Sequence, residues 1–180
     1  MRKFLSAFFL LSVFFINAQI FVCKDGVTRF TSEAPLEMIK AQSNKTAGAI
    51  DCSNKNVAFS ILIDSFDGFN SALQKEHFQE NYMESSKYTT ANFKGKIIED
   101  VDFKKQGTVT VRAKGTFSIH GVDKEKIVNV KMNIKNNEIN IETSFTVPLE
   151  DHNIKIPKVV NQKIASVINV DVKATLKPKA

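Results

Sequence analysis

Two cysteines and three histidines are the residues of this chain best suited to bond formation, metal binding or proton transfer. A disulfide between Cys23 and Cys52 would close a loop of about 30 residues and stabilise the fold by about 3–4 kcal/mol. The alternative is two reduced thiols that lie too far apart to bridge. The spacing is not CxxC and no cluster of acidic residues accompanies it, which argues against redox catalysis and zinc binding. We favour the disulfide, because a disulfide persists in an oxidising compartment and we expect this chain to be exported.

The histidines are isolated from one another in the sequence, so we predict no metal site. His77 lies in a connection and His152 in a loop, whereas His120 ends a strand at a turn. His77 and His120 each either hydrogen-bond backbone near the end of the fold or contact the head group of a ligand. The sequence contains no nucleophile elbow, phosphate loop or dinucleotide fingerprint, so we predict no catalytic residue and no cofactor.

Strict alternation of apolar and polar residues is the strongest structural signal. Thr108 to Ile119 reads TVTVRAKGTFSI, a strand with one apolar and one polar face. The same period recurs in four further segments: 57–63, 128–134, 139–147 and 168–176. Such repetition predicts an all-β fold, either an antiparallel barrel or a sandwich, with one or two short helices between the strands. A closed antiparallel barrel of about eight strands either encloses one small apolar ligand or is filled by its own side chains.

The first 18 residues have the pattern of a secretory signal peptide. Arg2 and Lys3 precede an apolar run from Phe4 to Ile16, and the small Ala18 follows at a plausible cleavage point. A retained anchor is the less favoured alternative, because the run is too short to span a bilayer. We therefore expect residues 1–18 to be removed and residues 19–180 to form one barrel domain in the periplasm or outside the cell.

Charge excludes one class of partner. The chain carries a formal charge of +6, which falls to +4 without Arg2 and Lys3. The other lysines are scattered along the strands and do not interleave with aromatic residues, so we predict no nucleic-acid binding. Weak contact with an anionic membrane surface and the oligomeric state are left open.

Short sequence patterns predict a turn, a helix and a long connection between strands. Asp25-Gly26 predicts a turn that joins an opening hairpin of residues 20–23 and 28–31. Ser71 followed by Gln74 matches a capping box and predicts a short helix. This helix lies in an aromatic-rich connection of about 25 residues between Phe66 and Phe93, a length typical of lids and binding loops.

The chain resembles the YceI-like family of exported proteins. The resemblance rests on three stretches, namely QKEHFQENYMESSKYTTANFKGKI from Gln74, GTFSIHGV from Gly115 and FTVPLEDHNIKIP from Phe145. It implies a lipocalin-like barrel of eight antiparallel strands whose elongated cavity holds a polyisoprenoid or a similar long apolar molecule. Thr89 stands where the family usually has proline after tyrosine, and Asp123-Lys124 replaces the usual hydroxyl residue and arginine. These departures predict altered loops near the cavity.

Pattern and resemblance together suggest a site. The small side chains at Ala113 and Gly115 leave room midway along an inward face. We expect a lid above one wall of the cavity, and His120 near the mouth. The predicted lid residues are Phe69, Leu73, Phe78 and Tyr82, and the predicted wall residues are Phe59, Ile61, Phe93, Val111 and Phe117.

Three classes of function follow. The favoured one is an exported protein that stores or transports an isoprenoid-type lipid. The alternatives are an enzyme or stress-protective accessory in isoprenoid or quinone metabolism, and a structural barrel with a filled core. An acid-base pair inside the cavity would favour the enzyme, and the absence of a cavity would favour the filled barrel.

Overall fold

The computed structural model describes residues 19–179 as one closed antiparallel barrel. Each strand pairs with its neighbours in sequence, and the last strand pairs with the first. The barrel of eight antiparallel strands that the family resemblance implies is therefore confirmed. They are β1 (Ile20–Glu33), β2 (Met38–Asp51), β3 (Asn56–Leu62), β4 (Thr90–Ile97), β5 (Gly107–Ile119), β6 (Val122–Lys135), β7 (Glu138–Pro148) and β8 (Val167–Pro178).

The expected opening hairpin is wrong. β1 runs through Asp25-Gly26 without reversing, and the register shifts on both sides of Gly26. The Asp-Gly pair forms a bulge, which adds a residue to one strand and increases its bend. Gly26 suits this position because a Cβ there would lie 3.1 Å from the backbone oxygen of Thr46.

Residues 38–46 form the first part of β2, which the apolar alternation does not reveal. Two of the buried positions on this part are the polar residues Ser43 and Thr46. Ser43 Oγ lies 2.7 Å from Ser65 Oγ, and Thr46 Oγ1 lies 2.7 Å from Thr28 Oγ1. These hydrogen bonds offset the desolvation of the hydroxyls, so the strand can bury polar residues.

Chain connections differ between the two ends of the barrel. One end has the turns at residues 52–55 and 136–137 and the connection 98–106. Asn136 and Asn137 both adopt positive φ, as the tight β6–β7 turn requires. The other end, which we call the mouth, has turns 34–37 and 120–121 and the long connections 63–89 and 149–166.

The connection 63–89 contains helix α1 (Ala72–His77), a π-helical turn (Phe78–Tyr82) and a 3₁₀ turn (Ile63–Ser65). Ser71 caps α1 by accepting a hydrogen bond from the backbone N–H of Gln74, as the capping box predicts. The Gln74 carboxamide oxygen accepts from the backbone N–H of Asn70, the residue before the cap, whereas the capping box would place this bond on Ser71. The other long connection contains 3₁₀ turns Glu150–His152 and Lys158–Val160.

At the end opposite the mouth, inward side chains fill the barrel. Ile139 and Leu176 are completely buried there, and Val101 and Phe103 of the connection 98–106 pack against the same cluster. We call this end the packed half. Its buried cluster comprises Phe21, Cys23, Ile50, Val57, Ile97, Val111, Ala113, Val128, Val130, Met132, Ile134, Ile139, Ile141, Ala174 and Leu176.

The predicted signal peptide, residues 1–18, lies outside the described residues. Within residues 19–179, no helix combines the length and the apolar character needed to cross a membrane.

Candidate ligand-binding cavity

A cavity of about 570 Å³ occupies the barrel between the packed half and the mouth. Its volume falls within the range of small-molecule sites, about 300–1,000 Å³. Most of its lining side chains are aliphatic or aromatic. Ile50, Val111 and Met132 form part of its floor and also belong to the packed cluster.

The boundary of the cavity is visible along β8. Ala174 and Leu176 are buried, whereas Ile168, Val170 and Val172 face the same way and stay partly accessible. The last three line the cavity, so the void leaves part of their surface uncovered. The inward face of one strand thus changes from core to cavity wall without a change in residue type.

Four phenylalanine rings pack together at the mouth. Phe78 stacks on Phe30 with ring centroids 5.2 Å apart and lies 5.1 Å from Phe69 and 5.9 Å from Phe66. We call Phe30, Phe66, Phe69 and Phe78 the mouth cluster. Its rings belong to β1 and to the connection 63–89, so the cluster attaches this connection to the barrel.

Backbone hydrogen bonds add to this attachment. β2 pairs with β3 only through residues 47–51, and beyond them Gln42 exchanges two backbone hydrogen bonds with Asp67. The segment that carries Phe66 and Phe69 therefore covers the gap that opens between β2 and β3 toward the mouth.

Residues 26–176 match the family model described as the YceI-like domain. The chain belongs to the YceI-like family. No curated protein sequence matches the chain.

Solved structures show the same fold at low sequence identity. A polyisoprenoid-binding domain from Saccharophagus degradans has a TM-score of 0.76 and 13% identity, covering 91% of this chain and 100% of its own. BcnA from Burkholderia cenocepacia has a TM-score of 0.69 and 12% identity, covering 84% and 95%. A YceI protein from Campylobacter jejuni has a TM-score of 0.57 and 14% identity, covering 100% and 99%.

Nine of the ten predicted ligand-contacting residues of this YceI-like chain line the cavity. The wall residues come from three strands, and the lid residues come from the connection 63–89. Contact with a ligand stays a prediction for all of them. The nine are Phe59, Ile61, Phe69, Leu73, Phe78, Tyr82, Phe93, Val111 and Phe117.

His120, the tenth, is not among the lining residues. Its Nδ1 lies 3.0 Å from the backbone oxygen of His152, and its Nε2 lies 3.1 Å from Glu84 Oε2. The ring also packs edge-on against Tyr88 at 4.6 Å. In the I-H-G-V turn of this family member, His120 therefore joins both long connections at the mouth, and its part in ligand binding stays a prediction.

His152 is a second histidine built into the mouth. It is 3% exposed, its Nδ1 lies 3.3 Å from the backbone oxygen of Val122, and its ring packs edge-on against Phe117 at 5.4 Å. Burial lowers the pKa of His152, and the hydrogen bond to Val122 opposes part of that effect. Among residues 19–179, no three histidine, cysteine or acidic side chains are grouped to hold a metal ion.

The expected disulfide is wrong, because both cysteines are free. Cys23 pairs with Gly48 across β1 and β2, and Cys52 follows Gly48 by four residues, about 13 Å along a strand. A disulfide requires Cα atoms within about 7 Å. Burial is the main cause that raises the pKa of both thiols, and that of Cys52 reaches about 11.

Gly115 has a different role from the one expected. A Cβ at Gly115 would overlap the backbone oxygen of Lys94, and one at the paired Gly95 would overlap that of Lys114. The two glycines thus permit β4 and β5 to approach closely. Only Ala113 of the two predicted small residues lines the cavity.

Lys126 is a cavity residue that the sequence-based site does not contain. It lies on β6 and lines the cavity together with Val128 and Val130. The alternation of β6 could have predicted this position. Lys126 is the next residue toward the mouth on the face that carries Val128, Val130 and Met132.

Proposed function

We propose that this YceI-like chain is an exported carrier that holds an isoprenoid-type lipid in its barrel cavity for storage or transport. The observation that carries the proposal is an apolar cavity of about 570 Å³ inside a closed barrel. Each methylene group that leaves water for such a cavity contributes about 0.8 kcal/mol. A prenyl chain therefore gains substantial affinity even when it is only partly enclosed.

Two further observations support a lipid ligand. The Saccharophagus degradans domain that shares this fold is described as polyisoprenoid-binding. Inward hydroxyls are satisfied within the protein, as in the Thr28–Thr46 pair and the bond from Thr143 Oγ1 to the backbone oxygen of Asn129. Such hydroxyls do not need a polar ligand to satisfy them, and the cavity itself argues against a filled structural barrel.

Export is proposed from the sequence of residues 1–18. A positively charged start, an apolar run and a small residue before Gln19 are typical of a signal peptide. We infer a periplasmic or secreted location. Amino-terminal sequencing of the exported protein checks this, because a first residue near Gln19 supports cleavage and an intact Met1 contradicts it.

The mouth has exposed apolar side chains that support brief contact with a membrane surface during lipid exchange. Leu36, Leu73 and Val159 are 66%, 57% and 88% exposed and lie on three different mouth connections. Leu36 donates a backbone hydrogen bond to Gln162, and Gln74 donates to the Glu37 carboxylate, so these connections are neighbours. Exchange of lipid between the barrel and vesicles should slow in a Leu36→Ser, Val159→Ser variant, and an unchanged rate would contradict the contact.

The test of the function is the identity of what the protein carries. The protein exported from a bacterial host is examined by native mass spectrometry, and its organic-solvent extract is analysed for lipids. We expect an excess mass that extraction removes and identifies as a prenyl lipid. Val172→Phe, which fills part of the cavity, serves as the control and should carry less. A wild-type protein that carries no lipid and binds no added polyprenol would refute the proposal.

A further inference from the structure

A lysine projects into a cavity that is otherwise mostly apolar. Lys126 is partly buried, and its Nζ donates a hydrogen bond of 2.8 Å to the backbone oxygen of Thr146. The same nitrogen lies 5.4 Å from the ring centroid of Phe145 and 6.0 Å from that of Phe117. The ammonium group is therefore held in place on the mouth side of Val128, which lines the cavity and belongs to the packed cluster.

No carboxylate neutralises this lysine at short range. None of the ion pairs found within residues 19–179 includes Lys126. Burial lowers the pKa of Lys126, and the more distant carboxylate of Asp151 opposes that effect. A partly desolvated charge without a paired anion is unfavourable, and an anion that enters the cavity removes this cost.

Local geometry leaves the ammonium group able to bind such an anion. An ammonium has three N–H donors, and the backbone oxygen of Thr146 accepts from one of them. The partner of Lys126 on β5 is Gly115, which has no side chain to obstruct the lysine stem. The faces of Phe117 and Phe145 attract the cation without accepting conventional hydrogen bonds.

We propose that Lys126 binds the anionic head group, a carboxylate or a phosphate, of a lipid whose apolar chain extends toward the floor of the cavity. This inference rests on the proposed function, since it adds a head-group contact to the same cavity. The free donors of Lys126 would form charge-assisted hydrogen bonds to the ligand oxygens, and the apolar surroundings strengthen them. The barrel would then favour anionic lipids over neutral lipids with the same chain.

Three ligands with the same prenyl chain test the proposal. Farnesyl phosphate, farnesoic acid and farnesol present a phosphate, a carboxylate and a hydroxyl, and calorimetry measures the affinity of each for the purified protein. The variants are Lys126→Met, which removes the charge with little change in volume, and Lys126→Arg, which keeps it. Lys131→Met is the matched control, because Lys131 lies on the same strand and is exposed.

We expect Lys126→Met to weaken binding of at least one anionic ligand about 10- to 100-fold, the usual effect of a charge-assisted hydrogen bond. Farnesol affinity should change less than about threefold. Lys126→Arg and Lys131→Met should retain the preference for the anion. The anionic ligand that loses affinity identifies the head group as phosphate or carboxylate.

Equal losses for farnesol and the anionic ligands, or no loss for any of them, would overturn the inference and leave the proposed function intact. A wild-type barrel that binds none of the three ligands would contradict both. Thermal unfolding shows whether each variant is folded. If Lys126→Met is not, Lys126→Gln provides the same loss of charge with a hydrogen-bonding side chain, and the same outcomes decide.

Discussion

The packed half and the cavity are built from the same strands. On β8, Leu176 is completely buried in the packed half, whereas Val172 and Val170 line the cavity. On β7, Ile139 is completely buried and Phe145 is only partly buried. Apolar alternation therefore specifies which side chains point inward, but it does not specify whether they meet other side chains or a void.

Connections explain part of the difference between the two regions. Short turns such as Asn136-Asn137 close the packed half, and Val101 and Phe103 fill that end. At the mouth, three of the four rings of the mouth cluster belong to the long connection 63–89 and pack against Phe30 of β1. A connection held by a few aromatic contacts opens at a lower free-energy cost than a closed core, which would suit the uptake and release of a ligand under the proposed function.

The largest expected effect is a difference in the free energy of unfolding between matched truncations in the packed half and in the cavity wall. Ile139→Ala removes a completely buried side chain and should reduce the free energy of unfolding by about 2–5 kcal/mol. Ile168→Ala, the matched change in the cavity wall, should cost about 1 kcal/mol, since this side chain borders the void. Urea denaturation measures both, and equal costs would show that the two regions are packed alike.

Substitutions that add volume should weaken ligand binding when they are made in the cavity, and should lower stability when they are made in the packed half. Val172→Phe extends into the cavity and should weaken lipid binding about tenfold or more, because the equivalent of one or two ligand methylenes loses its place. Its melting temperature should stay within a few degrees of the wild type. Ile139→Phe should cost about 1–3 kcal/mol of stability through overpacking and leave the affinity of the folded protein unchanged. A Val172→Phe protein that is strongly destabilised but, while folded, retains wild-type lipid affinity would contradict the cavity.

The lid is tested by the rate of ligand release. Phe78→Ala removes the centre of the mouth cluster, where each aromatic pair contributes about 0.5–1.5 kcal/mol, so release should accelerate up to about tenfold. Leu73→Ala should have a smaller effect, because Leu73 is 57% exposed. Stopped-flow displacement of a fluorescent lipid measures release, and far-UV circular dichroism should remain unchanged. If neither variant alters release, the connection 63–89 is not the lid.

The smallest expected effect is the pH dependence of stability that His152 contributes at the mouth. Burial holds the pKa of His152 in the folded protein below the unfolded value of about 6.5. The unfolded chain therefore binds the proton more readily, so this contribution to stability is complete above pH 6.5 and is lost as pH falls through the folded pKa.

Melting temperatures between pH 8 and pH 5 check this prediction. The wild type should lose a few degrees more than His152→Gln over this range. His77→Gln, which alters an exposed histidine on α1, should behave like the wild type. A steeper decline in His152→Gln than in the wild type would contradict the direction of the shift.

Much of the fold could be predicted because its signals are local. Alternation located most strands, and Ser71 with Gln74 located the start of α1. The Asp25-Gly26 pair misled because the same residues suit a bulge and a turn, and only pairing with β2 and β8 decides between them. The first part of β2 was hidden because partners distant in sequence satisfy its buried hydroxyls.

The candidate site also combines residues that nearby sequence predicts with features that depend on distant segments. Nine predicted residues line the cavity because strand parity and the length of one connection depend on nearby sequence. The separation of Cys23 from Cys52, the close approach at Gly115 and the lack of a paired anion at Lys126 depend on strand register and curvature.

The antiparallel strands, their inward faces and the long aromatic connection can be predicted from local sequence, since each follows from the period or composition of a continuous segment. The position at which the core ends and the cavity begins, and the surroundings of Lys126, are set by the folded arrangement of the chain. The physical reason is that packing, desolvation and charge pairing depend on atoms brought together from distant segments. Residues of one type therefore fill the barrel at Leu176 and line a void at Val172.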